Sequence, residues 1–288
     1  MDKFINKIEI DENVPIRELT TYKTTGNIKT VIYPKTTQDW QDILEMLEFY
    51  SIPYFIIGNG SNLLISPQTR KIAISTKRMQ EKIKINKDIL SVSANLNIAK
   101  IFQHCKQKGL SGFEALAGIP ASIGGAIKNN ASCFGCSIFD NLKSLQILKN
   151  GQITHLKKSD IFYSYHKTNL TNEIILSAKF QLKPENPQKI QEKFVEYAKL
   201  RQNKQPKGFS CGSVFKNPEG LSAGFLIEKC NLKGKKKGDG VISEKHGNFI
   251  ININNATFDD IKYLIEYCEE EVRRKYGINL EREVEIIE

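Results

Sequence analysis

A chain of 288 residues with 40% apolar and 26% charged residues has the make-up of a folded globular protein, with room for two domains. No apolar run reaches the ~20 residues that cross a bilayer, and six cysteines dispersed over this length argue against a disulfide scaffold. The net charge of +10, from 42 basic and 32 acidic residues, suits nucleic acid and anionic small molecules equally.

Residues 1–35 read as an extended entry segment that holds TTYKTTG (Thr20 to Gly26) and a short strand at Thr30 to Tyr33. The start, MDKFINKIEIDENVP, has no signal-peptide apolar core, so a cytoplasmic protein is expected. Thr36 or Thr37 can cap a helix with Trp40, Ile43, Leu44 and Leu47 on one face, ending before Pro53. Tyr54 to Ile57 is a buried strand that runs into GNGSNLLI, Gly58 to Ile65. A strand followed by a glycine-rich loop is a setting in which backbone amides cradle a diphosphate. The spacing is not G-x-G-x-x-G, which excludes a dinucleotide fold of the Rossmann kind.

Short strands follow at Ala73 to Ser75, Ile83 to Ile85 and Leu90 to Ala94, then a helix with Ile98, Ile101, Phe102 and Cys105 inward, closed by Gly109. The next stretch, GFEALAGIPASIGGAIKNNASCFG (Gly112 to Gly135), is unlike the rest of the chain. Gly118, Gly124 and Gly125 surround Pro120, with Ala121, Ser122 and Ala126 between them. So little side-chain bulk lets a backbone approach a ligand closely, and with the first loop it points to a phosphate-bearing cofactor. Ser144 to Leu156 is a hairpin in which Asn150-Gly151 demands a type I′ turn, and Glu173 to Leu182 is a further strand.

PENP, Pro184 to Pro187, is the best domain boundary; a helix with Ile190, Phe194 and Tyr197 on one face follows, then a basic segment, Arg201 to Gly208. CGSVFKNP (Cys211 to Pro218) and AGFLIEKCNLKG (Ala223 to Gly234) come next. The last helix is capped at Thr257, buries Ile261, Leu264, Ile265, Cys268 and Val272, and stops at Gly277 before a closing strand. Cys133 and Cys136 form a lone C-x-x-C, read as two small residues packed beside the glycine loop with a redox or metal role as the alternative, and with four scattered histidines no metal is expected. Lys233 to Lys237 reads as a solvated basic loop, and no helix-turn-helix or zinc module is present.

Together these motifs resemble the UDP-N-acetylenolpyruvoylglucosamine reductase (UDP-N-acetylmuramate dehydrogenase) family, from about Thr20 to the C-terminus. The resemblance rests on TTYKTTG, GNGSNLLI, GFEALAGIPASIGGAIKNNAS, CGSVFKNP, SEKHGNFIIN and LEREV in the family's order. It implies an α+β fold: a two-lobed FAD-binding domain of the vanillyl-alcohol-oxidase (PCMH) type over 1–188, with lobes of about 1–75 and 76–188, and a C-terminal α+β substrate domain over 189–288. The short interval from Leu182 to Ser213 marks the compact subtype, without the tyrosine-bearing insertion that closes over the substrate.

The resemblance implies FAD as cofactor and NADPH as hydride donor, with the enolpyruvyl ether of UDP-GlcNAc as substrate. Hydride passes to C3 of the enol ether and a proton to C2. Donors or cations must therefore wait where negative charge gathers, and an acid must stand on the correct face. Ser213 aligns with the family's proton-donating serine and Glu283 with its glutamate at the substrate carboxylate. The cofactor residues implied are Gly58, Asn59, Gly60, Ser61, Asn62, Leu63, Gly118, Ile119, Pro120, Ala121, Ser122, Gly124, Gly125, Ala126 and Asn130. Lys204, Lys216 and Asn217 are the substrate-binding candidates. The expected partners are these small molecules alone, with no nucleic acid or membrane, and the chain is expected to act as a monomer.

Several positions depart from the family pattern. Its Tyr-Arg pair is here Tyr165-His166, followed by Lys167, so His166 or Lys167 stands where an arginine stabilises the enolate; His166 is taken as the substitute. Glu285 replaces a common arginine, Thr25, Ala121 and Ser132 occupy glycine positions, and Asn129 replaces a methionine. Thr25 and Ser132 matter if the backbone there needs positive φ. Two other readings stay open: a flavoenzyme of the same fold drifted to another substrate, and a basic nucleic-acid-binding protein without flavin.

Overall fold

A computed structural model describes residues 8–288 of the chain; residues 1–7 of the expected entry segment lie outside the described residues. Strands β1 (Glu9–Pro15) and β2 (Asn27–Tyr33) open it, separated by a short helical turn at Ile16–Leu19. Helix α1 (Thr37–Phe49) begins in a capping box: Thr36 Oγ1 accepts from the Asp39 N–H at 3.1 Å, and the Asp39 carboxylate accepts from the Thr36 N–H at 3.0 Å. Its Trp40, Ile43 and Leu47 are buried, the three- and four-residue spacing of one face. After β3 (Tyr54–Ile57) come β4 (Leu63–Ile65), β5 (Ile72–Ser75), β6 (Ile83–Asn86) and β7 (Ile89–Ser93).

Asn97 caps α2 (Ile98–Gln107), and Gly109 just beyond it takes φ +64°, the left-handed exit that glycine accommodates best. Helix α3 (Ile123–Lys128) is followed by β8 (Ser132–Cys133), β9 (Cys136–Ser137), β10 (Leu142–Lys149), β11 (Gln152–Lys157) and β12 (Ile174–Gln181). The β10–β11 turn has Asn150 at φ +49° and Gly151 at φ +70°, as the Asn-Gly pair requires. Helices α4 (Pro187–Lys204) and α5 (Ala223–Lys229) precede β13 (Lys236–Lys237), β14 (Gly240–Ile242) and β15 (Ile250–Asn252). Helix α6 (Phe258–Tyr276) is capped by Thr257, buries the five expected side chains, and ends at Gly277 before β16 (Glu285–Ile287).

The strands form sheets ordered β1-β2-β5-β3, β11-β10-β12-β7-β6 and β13-β14-β15, while β16 pairs in parallel with β4. The described residues form two compact units: residues 8–10, 32–59 and 74–201, and residues 11–31, 60–73 and 202–288. The second is discontinuous because β4 is hydrogen-bonded to the C-terminal strand, Leu63 opposite Glu285. Each unit has its own core. That of the first gathers Ile101, Phe102, Phe113, Phe139, Ile147 and Phe180; Phe194 of α4 stacks on Phe102 at 4.6 Å. That of the second packs Tyr22 and Leu64 with Phe215, Ile227, Ile261, Leu264 and Val272. The fold is α+β, and among the described residues no helix is long and apolar enough to cross a membrane.

Gly60 is the backbone position least able to carry a side chain. Its φ is +62°, and a Cβ there would lie 1.9 Å from the Leu19 carbonyl oxygen and 2.7 Å from Thr20 Cα. Gly277 has φ +69° but nothing within 4 Å of a Cβ. Gly277→Ala should cost about 1 kcal/mol of stability, whereas Gly60→Ala should cost ~3 kcal/mol or more because backbone must move. Denaturation midpoints of the two variants check this; equal losses would contradict it.

Candidate functional site

In the first unit the two glycine-rich stretches meet. A Cβ on Gly58 would stand 2.3 Å from Ser122 Oγ, so only a glycine lets the loop after β3 reach that hydroxyl. Asn59 Nδ2 donates to the Pro120 carbonyl at 2.6 Å, tying the same two segments. Ser122 caps α3 by accepting from the Gly125 N–H at 3.4 Å. The remaining amides at this helix start are already spent: Ile123 N–H donates to Leu96 O at 2.9 Å and Gly124 N–H to Ala94 O at 2.8 Å. Ala121 and Ala126 are buried, Ile119 packs on the core, and Gly118, Pro120 and Gly125 are exposed.

Donors for a phosphate lie instead on the first loop. Among the described residues the backbone N–H groups of Asn59, Gly60, Ser61 and Asn62 have no protein acceptor, although all four residues are at least half-buried. Such consecutive amides suit a diphosphate. These residues fit the nucleotide part of FAD. The fit comes from the loop amides rather than from the start of α3.

His166 sits at the tip of a two-residue hairpin turn between Tyr163–Ser164 and Lys167–Thr168, with φ +47°. Its Nε2 is 3.3 Å from Ser132 Oγ, and Asn130 Nδ2 donates to the Ser164 carbonyl at 2.7 Å. Two candidates from distant parts of the sequence, Asn130 and His166, are thereby brought to one place. The departures at Thr25, Ala121, Ser132 and Asn129 cost nothing in backbone terms, since none of the four takes positive φ. Asn130 does, at φ +42°, and asparagine tolerates that region better than most residues.

In the second unit the segment after Cys211 pairs with the one after Glu281. Glu283 N–H donates to the Val214 carbonyl at 2.8 Å and Lys216 N–H to the Glu281 carbonyl at 2.8 Å. Ser213, Lys216 and Glu283 are thus on facing segments. Ser213 is half-buried, and among the described residues its hydroxyl has no protein partner. Burial pushes the Glu283 carboxyl up to about 7, against the Lys216 cation, which lowers it. Lys216 also pairs with Glu281, Nζ to Oε1 at 2.6 Å. Asn62 holds the far side of this pairing: its Nδ2 donates to the Glu283 carbonyl at 2.8 Å and its own carbonyl accepts from Glu285 N–H at 3.0 Å.

Other candidates have plainer surroundings. Asn217 Oδ1 accepts from the Ala223 N–H at 3.0 Å, just ahead of α5, and Leu63 is core. Lys204 is exposed at the last position of α4, with no hydrogen bond or ion pair to Ser213 or Glu283 among the described residues. One residue escaped the reading of the sequence. Asn248, 3% exposed, accepts from the Phe215 N–H at 2.9 Å and donates to the Phe215 carbonyl at 2.7 Å, fixing the segment that carries Ser213. Its signal was the SEKHGNFIIN motif, where an asparagine lies between a glycine and an apolar run.

The family model described as "UDP-N-acetylenolpyruvoylglucosamine reductase, C-terminal domain" matches residues 204–287, and that described as "FAD binding domain" matches residues 28–157. The UDP-N-acetylenolpyruvoylglucosamine reductase of Listeria welshimeri is 37% identical over 295 residues, covering 100% of this chain and 98% of the relative. That of Chloroherpeton thalassium is 33% identical over 290 residues, covering 97% and 93%. A crystal structure of the reductase from Thermus caldophilus matches with a TM-score of 0.83 at 29% identity, covering 98% of this chain and 99% of that one. With both glycine loops joined and the serine and glutamate segments paired, the chain belongs to the UDP-N-acetylenolpyruvoylglucosamine reductase family of FAD-dependent oxidoreductases.

Proposed function

We propose that the chain reduces the enolpyruvyl ether of UDP-GlcNAc to UDP-N-acetylmuramate with electrons from NADPH, a step of peptidoglycan precursor synthesis. The observation that carries this reading is the backbone pairing of Val214 with Glu283, which puts Ser213, with its uncommitted hydroxyl, and Glu283, whose carboxyl is poised near neutrality, on facing segments. Bound FAD would supply the two-electron relay, accepting hydride from NADPH and delivering it from N5 to C3 of the enol ether. The residues over 1–188 would hold that cofactor and those over 189–288 the substrate, with Gly60 to Leu63 contributing to the cofactor.

The chain's own part is to bind, to polarise and to move one proton. Electron pressure at C2 makes that carbon a strong base, so even a weak acid such as the Ser213 hydroxyl can protonate it if held in place. Asn248 supplies the holding by bonding both polar backbone groups of Phe215, two residues along. Glu283 lies where the substrate carboxylate is read. An ionised Glu283 would repel that group, whereas its neutral form donates a hydrogen bond to it. Lys216 adds positive charge nearby, and His166 is the candidate for the enolate-stabilising role that the family gives to arginine.

Ser213→Ala tests the proton step. Reduction of bound flavin by NADPH should be unchanged, while its re-oxidation by the enolpyruvyl sugar nucleotide should slow by about 100-fold or more. Stopped-flow absorbance separates the two half-reactions, and a normal second half-reaction would remove Ser213 from the mechanism.

Glu283 carries a stability cost with a definite sign. Its folded value of about 7 lies above the usual 4.5, so the folded chain keeps a proton that the unfolded chain has lost. The associated stability is present below pH 4.5 and is lost as pH rises through 7. Glu283→Gln should therefore be more stable than the parent by ~2 kcal/mol at high pH and gain little in acid. Thermal midpoints taken on both sides of that window would contradict this if the difference between the two proteins were the same throughout.

A further inference from the structure

The C-x-x-C motif is used by neither the cofactor nor the substrate reading, and the structure gives it a geometry of its own. Strands β8 and β9 form a hairpin in which Cys133 stands opposite Cys136 and Ser132 opposite Ser137. The two residues between, Phe134 at φ +52° and Gly135 at φ +77°, are both left-handed, as in a type I′ turn. Residues that close such a turn have Cα atoms about 5.5 Å apart and side chains on one face, within the span of a disulfide. Both cysteines are half-buried, so small reagents can reach them.

The two sulfurs have different neighbours. Arg201 Nη2 donates to Cys133 Sγ at 3.2 Å; burial pushes this thiol up, and the Arg201 cation beside it counters part of that rise. Cys136 Sγ lies 4.0 Å from the Tyr197 hydroxyl. Elsewhere Cys105, Cys211 and Cys268 are buried with thiols pushed up to about 12, and Cys230 is half-buried. One register step from the cysteines, Ser132 meets His166 at 3.3 Å and Ser137 Oγ donates to Asn130 Oδ1 at 2.5 Å.

We propose that Cys133 and Cys136 are a reversible dithiol–disulfide couple, oxidised by low-molecular-weight disulfides of the glutathione class, and that closing it disturbs the placement of His166 and Asn130. The Cys133 thiolate attacks one sulfur of the oxidant and forms a mixed disulfide, releasing the first thiolate. Cys136, deprotonated, then attacks the Cys133 sulfur, closes the intramolecular bond and expels the second. The two protein thiols lose two electrons and two protons, and the oxidant becomes two thiols. A disulfide closing so short a loop is strained and hence readily reduced, which makes the couple reversible. The effect on turnover rests on the reading under Proposed function; the oxidation itself does not.

The test is to incubate the FAD-loaded protein with oxidised glutathione and follow intact mass, peptide map and turnover. The couple predicts loss of two hydrogens mapped to the 133–136 peptide, reversed by dithiothreitol, with re-oxidation of flavin by substrate slowed about threefold or more until reduction. Cys136→Ser should instead accumulate a single glutathione adduct on Cys133, and Cys133→Ser should form no disulfide in this peptide. No modification, a stable adduct in the parent, or a disulfide mapped to Cys230 and Cys268 would overturn the couple. A mapped 133–136 disulfide with unchanged turnover would overturn the coupling to His166 and Asn130. If the reduced protein shows no turnover at all, the substrate reading fails while the mass still decides the couple.

Discussion

The missing side chain of Gly58 is the constraint on which the cofactor half of this protein depends. With a Cβ 2.3 Å from Ser122 Oγ, the loop after β3 would be forced away from the cap of α3. The Asn59 bond to the Pro120 carbonyl would part with it. What the close approach achieves is an unequal use of amides. The start of α3 gives its N–H groups to Leu96, Ala94 and Ser122, which locks the helix against the chain ahead of α2. The neighbouring loop keeps the amides of Asn59 to Asn62 uncommitted, and a buried, uncommitted amide is stable only if a ligand or solvent answers it.

In the second unit the governing device is a short ladder rather than a glycine. Val214 lies between the Asn248 carbonyl, to which it donates at 2.9 Å, and the Glu283 N–H, from which it accepts at 2.8 Å. The Asn248 side chain secures Phe215 and the Asn62 side chain secures Glu283. A serine hydroxyl is a poor acid, so under the proposed reaction this unit would contribute precision of placement. The same enclosure that excludes water raises the Glu283 carboxyl, and a more stable folded state would follow from removing it.

Features set by neighbouring residues were legible in the sequence. The threonine cap of α1, the spacing of buried residues in α6, the Asn150-Gly151 turn and the glycine exits at Gly109 and Gly277 all follow from local rules. The turn at Ile16–Leu19 was not, because four residues without a side-chain cap carry no period. Nor was the discontinuity of the second unit, which arises from β4 pairing with β16 more than two hundred residues away. The glycine loops could be recognised, yet nothing local revealed which would have spare donors. Glu283 stood out only through the family resemblance, and its shifted ionisation depends on burial that only the fold creates.

The most direct test is the visible spectrum of the FAD-loaded protein without oxygen, on adding NADPH and then the enolpyruvyl ether of UDP-GlcNAc. The account predicts flavin bands that bleach with NADPH and return when that substrate is supplied. Bleaching that persists after the substrate is added would contradict the proposed reaction and leave a flavoenzyme of this family acting on something else.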